Sequence, residues 1–316
     1  MSDARADFET GRAAWDRNDL PAAETALRRA LAASPADPAI KAALGSVLLK
    51  SGRLTEGFPL FDAWRQVAGR EEKGAPKLPF IPWRGEPVGG RRLLIWSEHG
   101  FGDQIMYARF ARLLARKGGE VSWLCPPELV RIVAALGVKA LPSDQPVDLA
   151  CDYYVPSSAL PLGFNLTWDT TPAAPYIAAV APRQTDARIG VMTAGNPDNV
   201  PGRNRALSDA QAARLLDLPG AMSLAPASTG AKDFQDTADL IAGLDLVISV
   251  DTAVAHLAGA MGKRVWVLVP YVADWRWPER ELNPWYPTAR VLRQGADLDW
   301  DPVVAGVEAD VKAGVA

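Results

Sequence analysis

From Arg91 onward, short apolar runs alternate with stretches whose apolar residues recur every three or four positions. RLLIWS (92–97), EVSWL (120–124), VKAL (138–141) and DYYVP (152–156) read as strands. DQIMYARFARLLARKG (103–118) and PELVRIVAALG (127–137) read as helices between them. After the proline-rich stretch TPAAPYIAAVAPRQ a second series begins. ARIGVMT, AMSLA, DLVISV and RVWVLV are its predicted strands, and SDAQAARLLD, FQDTADLIAG and TAVAHLAGAMG its helices, with a last helix from about Pro302. Strand-helix alternation of this kind predicts parallel sheets covered on both faces. Two such series in tandem predict two doubly wound halves, 91–183 and 184–316, with a cleft at the carboxyl ends of their strands.

The first 68 residues follow a different pattern. Gly11 recurs as Gly45, Leu20 as Leu54, Ala23 as Gly57 and Leu27 as Phe61, each at an offset of 34 residues. That is the period of the tetratricopeptide repeat, a helical hairpin whose small residues admit close helix packing. Residues 1–68 are therefore expected to be two all-α repeats, too few to stand alone, because stacking between repeats supplies their core. Residues 69–90 hold four prolines and five glycines and read as a linker, pinned by Phe80 and Trp83.

Composition narrows the function classes. With 34 Lys and Arg against 37 Asp and Glu, the net charge of −3 gives no basic field to recruit nucleic acid. Cys125 and Cys151 are the only cysteines and lack ligand spacing, so neither a disulfide framework nor a structural zinc site is expected. No run reaches membrane-spanning length and MSDARADFETGRAAWDRNDL carries no apolar leader core, so the expected location is cytoplasmic. Nucleotide fingerprints of the common kinds are missing: SEHGFGDQI has Gly100 and Gly102 but not the third glycine of GxGxxG, which weighs against a sugar epimerase or another dinucleotide enzyme.

Three turns carry the candidate chemistry. In the first, Gly100 and Gly102 allow a tight bend beside His99 and leave Asp103 at the start of a helix, as a first-turn acid or as a general base at the cleft edge. In the second, Asp251 and Thr252 open the helix TAVAHLAGAMG, whose exposed amides suit a phosphate. Thr252 and His256 are four apart, hence on one face, and Ala253 supplies a further amide. Against this stand a plain N-cap for Asp251 and a core role for His256. In the third, AGNPDNVPGRNRALS, a turn at Gly195 and Asn196 precedes Arg203 and Arg205, whose planar forks match a diphosphate. Asp297, Asp299 and Asp301 alternate as in metal-dependent sugar transfer, but they precede a helix and serve equally as caps. Tyr271, Trp275, Trp277, Trp285 and Tyr286 could stack on a sugar or base, although packing is the expected role of Trp277 and Trp285.

Taken together, LLIWSEHGFGDQIMYARF, AGNPDNVPGRNRALS, LIAGLDLVISVDTAVAHLAGAMGKRVWVLVPYVADWRW and NPWYP make the chain resemble bacterial tetratricopeptide-repeat glycosyltransferases. Their catalytic part looks like the heptosyltransferases and, more distantly, O-linked N-acetylglucosamine transferases. The resemblance implies an α/β fold of GT-B type: a pair of Rossmann-type domains after a short all-α repeat segment. It implies an acceptor-side domain first, a nucleotide-sugar domain second, the donor as substrate, and no cofactor or required metal. It assigns Asp103 as the base and Asp251, Thr252 and His256 as the donor-phosphate motif. Relatives in flagellated bacteria glycosylate flagellin and use the repeats to hold the protein acceptor. One departure is Ala225, which stands where relatives carry a base-holding Gln. Ala225 and the short repeat array favour the competing class, a non-catalytic interaction scaffold, whereas the intact acidic turns favour transfer to a protein or glycan hydroxyl.

Overall fold

The structure, a computed structural model, describes residues 3–67, 80–172, 174–195, 205–280 and 282–314. The chain forms two compact units. One comprises Met1–Glu86, Ala159–Thr171 and Val272–Glu279; the other comprises Pro87–Ser158, Pro172–Tyr271 and Arg280–Ala316. No helix among the described residues is long and apolar enough to cross a membrane.

The first unit is helical. Its helices are α1 (Ala4–Asp16), α2 (Leu20–Ala33), α3 (Pro38–Lys50) and α4 (Leu54–Phe61), followed by a short extended piece β1 (Ile81–Pro82). Three starts use an aspartate cap: Asp3, Asp19 and Asp37 each accept a hydrogen bond from a first-turn amide, with proline just inside α2 and α3. The 34-residue offset is visible in the packing. A Cβ on Gly11 would lie 2.6 Å from Leu27 Cγ, and one on its counterpart Gly45 would lie 2.3 Å from the amide nitrogen of Phe61. Both hairpins therefore close on a bare glycine backbone, and a side chain at either position would force them apart. Ala14, Ala23, Leu27, Leu44, Val47 and Leu48 form the core across the helices.

The second unit carries β2 (Arg92–Trp96), α5 (Phe101–Arg116), β3 (Glu120–Cys125), α6 (Val130–Ala134), β4 (Lys139–Pro142) and β5 (Tyr153–Pro156). The short α7 (Leu160–Gly163) then belongs to the helical unit. The α/β unit resumes with β6 (Ile189–Met192), α8 (Asp209–Leu216), β7 (Ala221–Ser223), α9 (Pro226–Thr229) and α10 (Phe234–Ala242). It ends with β8 (Leu246–Val250), α11 (Ala253–Ala260), β9 (Val265–Val269), β10 (Ala289–Arg293) and α12 (Asp301–Lys312).

These strands build two sheets that share no strand. In the first, the strands of the α/β unit lie in the order β5-β2-β3-β4, all parallel, with Leu94 opposite both Ser122 and Tyr154. In the second the order is β10-β9-β8-β6-β7, again all parallel. Every residue of β8 and β9 is buried, as expected of strands covered on both faces. Ile248, Trp266 and Leu268 meet Val304 and Val307 of α12, which returns across this sheet.

The structure departs from the sequence reading in some places and refines it in others. The helix expected over 127–137 is a 3-10 turn, Pro127–Leu129, followed by the short α6; tandem prolines open it and Gly137, at φ +78°, closes it. The strand β10 extends the second sheet on its far edge and is not predicted, because its ARVLR sequence is mostly half-exposed. The aromatic stretch is divided between the units: Trp275 packs edge-on against Phe58 (5.6 Å) and Phe61 (6.1 Å) within the helical unit, while Trp285 and Tyr286 are buried in the α/β unit.

Candidate functional site

The site grows from the carboxyl ends of β2 and β8. After β8 the chain turns through Asp251 and Thr252 into α11. Thr252 is the N-cap, and its Oγ1 accepts the Val254 N–H at 3.2 Å. Ser249 Oγ donates to the Val250 carbonyl at 2.6 Å, so its contact with Thr252 Oγ1 at 3.0 Å is one in which Thr252 donates. Both hydroxyl protons are thus committed, and the turn is held from within. Nothing among the described residues accepts a hydrogen bond from the amides of Thr252 and Ala253. At a helix N-terminus such amides favour an anion.

Asp251 is 8% exposed, and its Oδ2 accepts a hydrogen bond from Arg205 Nη1 at 3.1 Å. Arg205 is half-buried. Its Nε is buried with no hydrogen-bond partner among the described residues, an arrangement that costs free energy unless a ligand or water completes it. Gly195, the other described flank of the AGNPDNVPGRNR loop, lies against both: a Cβ there would be 3.7 Å from Arg205 and from Thr252 Cγ2. The remaining candidates of this loop, Asn196 and Arg203, lie outside the described residues.

His256 is 4% exposed and one turn into α11. Its Nε2 is 3.9 Å from Asp251 Oδ1, and its Nδ1 shares a 2.9 Å hydrogen bond with the Tyr286 hydroxyl. Gly259, three residues on, makes room for that tyrosine, since a Cβ there would be 2.5 Å from Tyr286 Cγ. Burial pushes the Tyr286 hydroxyl well above its ordinary pKa, keeping it a neutral phenol. Behind the tyrosine sits Arg109 of α5, 2% exposed, with its guanidinium 5.1 Å from the Tyr286 ring, 4.8 Å from Tyr176 and 5.2 Å from Trp285. It donates to the carbonyls of Met106, Pro172 and Trp285 and to the Tyr176 hydroxyl, which in turn donates to the Ile105 carbonyl.

The second motif meets this one directly. After β2, His99 takes a left-handed conformation (φ +64°) and is exposed, and Gly100 is the N-cap of α5. A Cβ on Gly102 would lie 2.6 Å from His256 Cδ2, so the turn packs backbone against the imidazole. Asp103 follows at once. Its carboxylate Oδ2 accepts the Gly100 N–H at 3.1 Å, reaching back from the first turn. The capping contact and a position beside the His256 helix are therefore both present in one residue.

Some neighbours were not singled out by sequence reasoning. Tyr286 was marked for stacking, but its hydroxyl serves His256; Arg109 and Tyr176 carried no signal beyond helix and loop positions. Glu98, beside the first turn, is held by Ser157 Oγ on its amide (3.1 Å) and by Ser158 Oγ on its carboxylate (2.5 Å). Arg131 of α6 pairs with Asp233 (3.0 Å) and Asp236 (2.8 Å) at the start of α10, tying the helices of the two sheets together. The alternating acids form a capping ladder: Asp297 Oδ1 accepts from the Asp299 amide, and Asp299 Oδ1 from the Asp301 amide. Among the described residues, no group of three or more His, Cys, Asp or Glu is placed to hold a metal ion.

Comparison with known proteins identifies two segments. Residues 8–71 match the tetratricopeptide repeat, and residues 200–295 match glycosyltransferase family 9 (heptosyltransferase). The chain is 24% identical to protein FlbA of Caulobacter vibrioides (strain ATCC 19089 / CIP 103742 / CB 15) across 93% of its own length. It spans 59% of the length of that curated relative. Among solved structures, an iron-containing dodecameric glycosyltransferase, TibC from enterotoxigenic E. coli H10407, aligns with a TM-score of 0.48 at 14% identity, over 65% of this chain and 63% of that one. A glycosyl transferase family 9 structure from Veillonella parvula DSM 2008 aligns at 0.47 and 10% identity, over 72% and 91% of the respective chains.

Proposed function

Because residues 200–295 belong to glycosyltransferase family 9 (heptosyltransferase) and follow a tetratricopeptide-repeat segment, we propose that this chain transfers a sugar from a nucleotide-sugar to a hydroxyl of a protein or glycan. The repeats are proposed to hold a protein acceptor, flagellin being the one suggested by the resemblance. The observation that carries the reading is the contact of Gly102 with His256. Two motifs more than 150 residues apart in sequence, one bearing the acid Asp103 and the other an anion-binding helix start, share one spot in the fold.

The proposed chemistry follows from their types. The donor diphosphate lies at the amides of Thr252 and Ala253, with Arg205 supplying charge-assisted hydrogen bonds. Asp103 takes the proton of the acceptor hydroxyl as its oxygen attacks the anomeric carbon. The bond from that carbon to the diphosphate oxygen breaks with inversion, and the leaving charge is met by the helix start. Asn196 and Arg203 are proposed to complete the donor side, and His99, Gly100 and Gly102 to shape the acceptor side.

Calorimetric titration of the full chain with nucleoside diphosphates and nucleotide-sugars tests the donor half of this proposal. The expected result is one selective donor whose affinity drops in Arg205→Ala and in a bulky replacement of Thr252. No binding at millimolar concentration overturns it and favours the scaffold class, to which Ala225 in place of the relatives' Gln points.

A further inference from the structure

We propose that Arg131 is the catch of a conformational latch: the two halves of the α/β unit part and close between α6 and α10, while the seam between α5 and α11 stays packed. The two seams are built from unlike chemistry. At the inner seam Arg109 of α5, 2% exposed, donates to the carbonyls of Pro172 and Trp285 and to the Tyr176 hydroxyl. Parting it would strand a buried guanidinium without its acceptors and pull Gly102 away from the His256 ring. The outer seam is small and exposed. Arg131 of α6, with half of its side chain in solvent, meets Asp233 at 3.0 Å and Asp236 at 2.8 Å. Beside it Phe101, 37% exposed, lies with its ring 5.1 Å from that of Phe234.

The outer seam is also built to open without damage to α10. Its acids are held by their own helix start: Asp233 Oδ1 accepts the Asp236 N–H at 2.8 Å, and Asp236 Oδ2 accepts the Lys232 N–H at 3.0 Å. The buried side of α10 is tied to the segment that joins the halves, where Asp239 Oδ1 accepts the amides of Val180 and Ala181 at 2.8 and 3.1 Å. When the seam parts, α10 therefore keeps its cap and its anchor, and the change is confined to Arg131 and the two phenylalanine rings, which pass to water. Every contact of Arg131 with these acids runs through Nη1. The planar fork is not used, so the catch acts as a point charge. An exposed pair of this kind shifts an equilibrium by a factor of about 1–5, small enough to be made and broken repeatedly. Arg131 and Phe101 lie in the helical segments that follow the carboxyl ends of β3 and β2, so the seam that yields runs along the cleft edge. That its opening admits a nucleotide-sugar rests on the proposed function; the latch does not.

Hydroxyl-radical footprinting of the full chain reads both seams at once. Phe101 and Phe234 report the outer seam, and Met106, fully buried on α5 one turn before Arg109, reports the inner one. Oxidation of the two phenylalanines should be lowest in the wild type and in Arg131→Lys, and about 1.5–3-fold higher in Arg131→Ala. It should be higher still in Arg131→Glu, which sets a third carboxylate against two, with Met106 protected throughout. Raising NaCl from about 0.05 to about 0.5 M should move the wild type towards Arg131→Ala and leave Arg131→Ala itself unchanged. Equal oxidation in all four chains overturns the proposal; if a variant fails to fold, the salt series on the wild type decides. Met106 oxidation that rises in step with Phe101 also overturns it, because both seams would then loosen together. A graded footprint in a chain that binds no nucleotide keeps the latch and sinks the transferase; nucleotide binding with a flat footprint does the opposite.

Discussion

Replacing Asp103 by Asn separates the capping contact that the structure shows from the base role proposed for the same carboxylate. The Gly100 N–H reaches Asp103 Oδ2 at 3.1 Å, and an Asn carbonyl oxygen can accept the same hydrogen bond in the same rotamer. What the variant loses is negative charge in the first turn of the 16-residue helix α5, worth about 0.3–1 kcal/mol against the helix dipole. A domain of this size moves by about 2–4 °C per kcal/mol, so the melting temperature should fall by no more than about 4 °C. A carboxamide cannot take a proton from the acceptor, however, and losing a positioned base costs about 10²–10⁴ in rate. Differential scanning calorimetry together with sugar release from the donor in the presence of acceptor measures both quantities. Donor affinity should be unchanged, because the lost interaction is made only in the transition state. Transfer at the wild-type rate refutes the base assignment and turns attention to Glu98, the other carboxylate at the end of β2. A melting temperature ten degrees lower with proportionate loss of activity makes Asp103 a cap alone.

Four shorter tests follow. Gly102→Ala puts a Cβ 2.6 Å from a histidine ring that Tyr286 holds in place, so overpacking of about 1–3 kcal/mol should outweigh the gain in helix propensity of about 1 kcal/mol, and nucleotide affinity should fall with the melting temperature. Thr252→Val removes the cap on Val254 and should cost about 0.5–2 kcal/mol in chemical denaturation. The Arg131 side chain holds the Asp236 carboxyl below its ordinary value of 3.8; stability from this pair is present above that value and lost as pH falls through the lower folded value, so Arg131→Ala should lower stability slightly at neutral pH, leave it unchanged at the acid end, and thereby flatten the acid limb of a pH–stability profile below about pH 4. Burial pushes the Cys125 thiol up to about 12 and the Cys151 thiol up to about 11, so neither should be alkylated by iodoacetamide at pH 8 in the native chain; rapid labelling would contradict their burial.

Much of the architecture was legible because it is written in local signals. β8 and β9 are buried runs that are apolar but for Ser249, and the parallel sheet that such runs imply is present. Gly11 and Gly45 announce the repeat because each sits where a side chain would collide with the partner helix. Illegible features are those decided at a distance. Nothing within ARVLR says that it will add to the edge of a sheet, since only its pairing with β9 makes it a strand. Nothing in VADWRWPE says that Trp275 will rest on Phe58.

The candidate site divides along the same line. Gly100, Gly102, Asp103, Asp251, Thr252 and His256 were visible because turn chemistry constrains residue type over three to five positions. That the two turns touch could not be read from either, although each contains the glycine or histidine that makes the contact. The deeper layer carried no local signature at all. Arg109 lies in mid-helix and Tyr286 in an irregular stretch, and either looks like ordinary packing until their common neighbour, His256, is seen. A buried guanidinium satisfied by carbonyls and aromatic rings is expensive to keep for packing alone, since an apolar side chain of similar volume would avoid its desolvation. Its position behind the tyrosine that fixes His256 gives that cost a reason, and the same reason explains Gly259, without which the tyrosine would have no room.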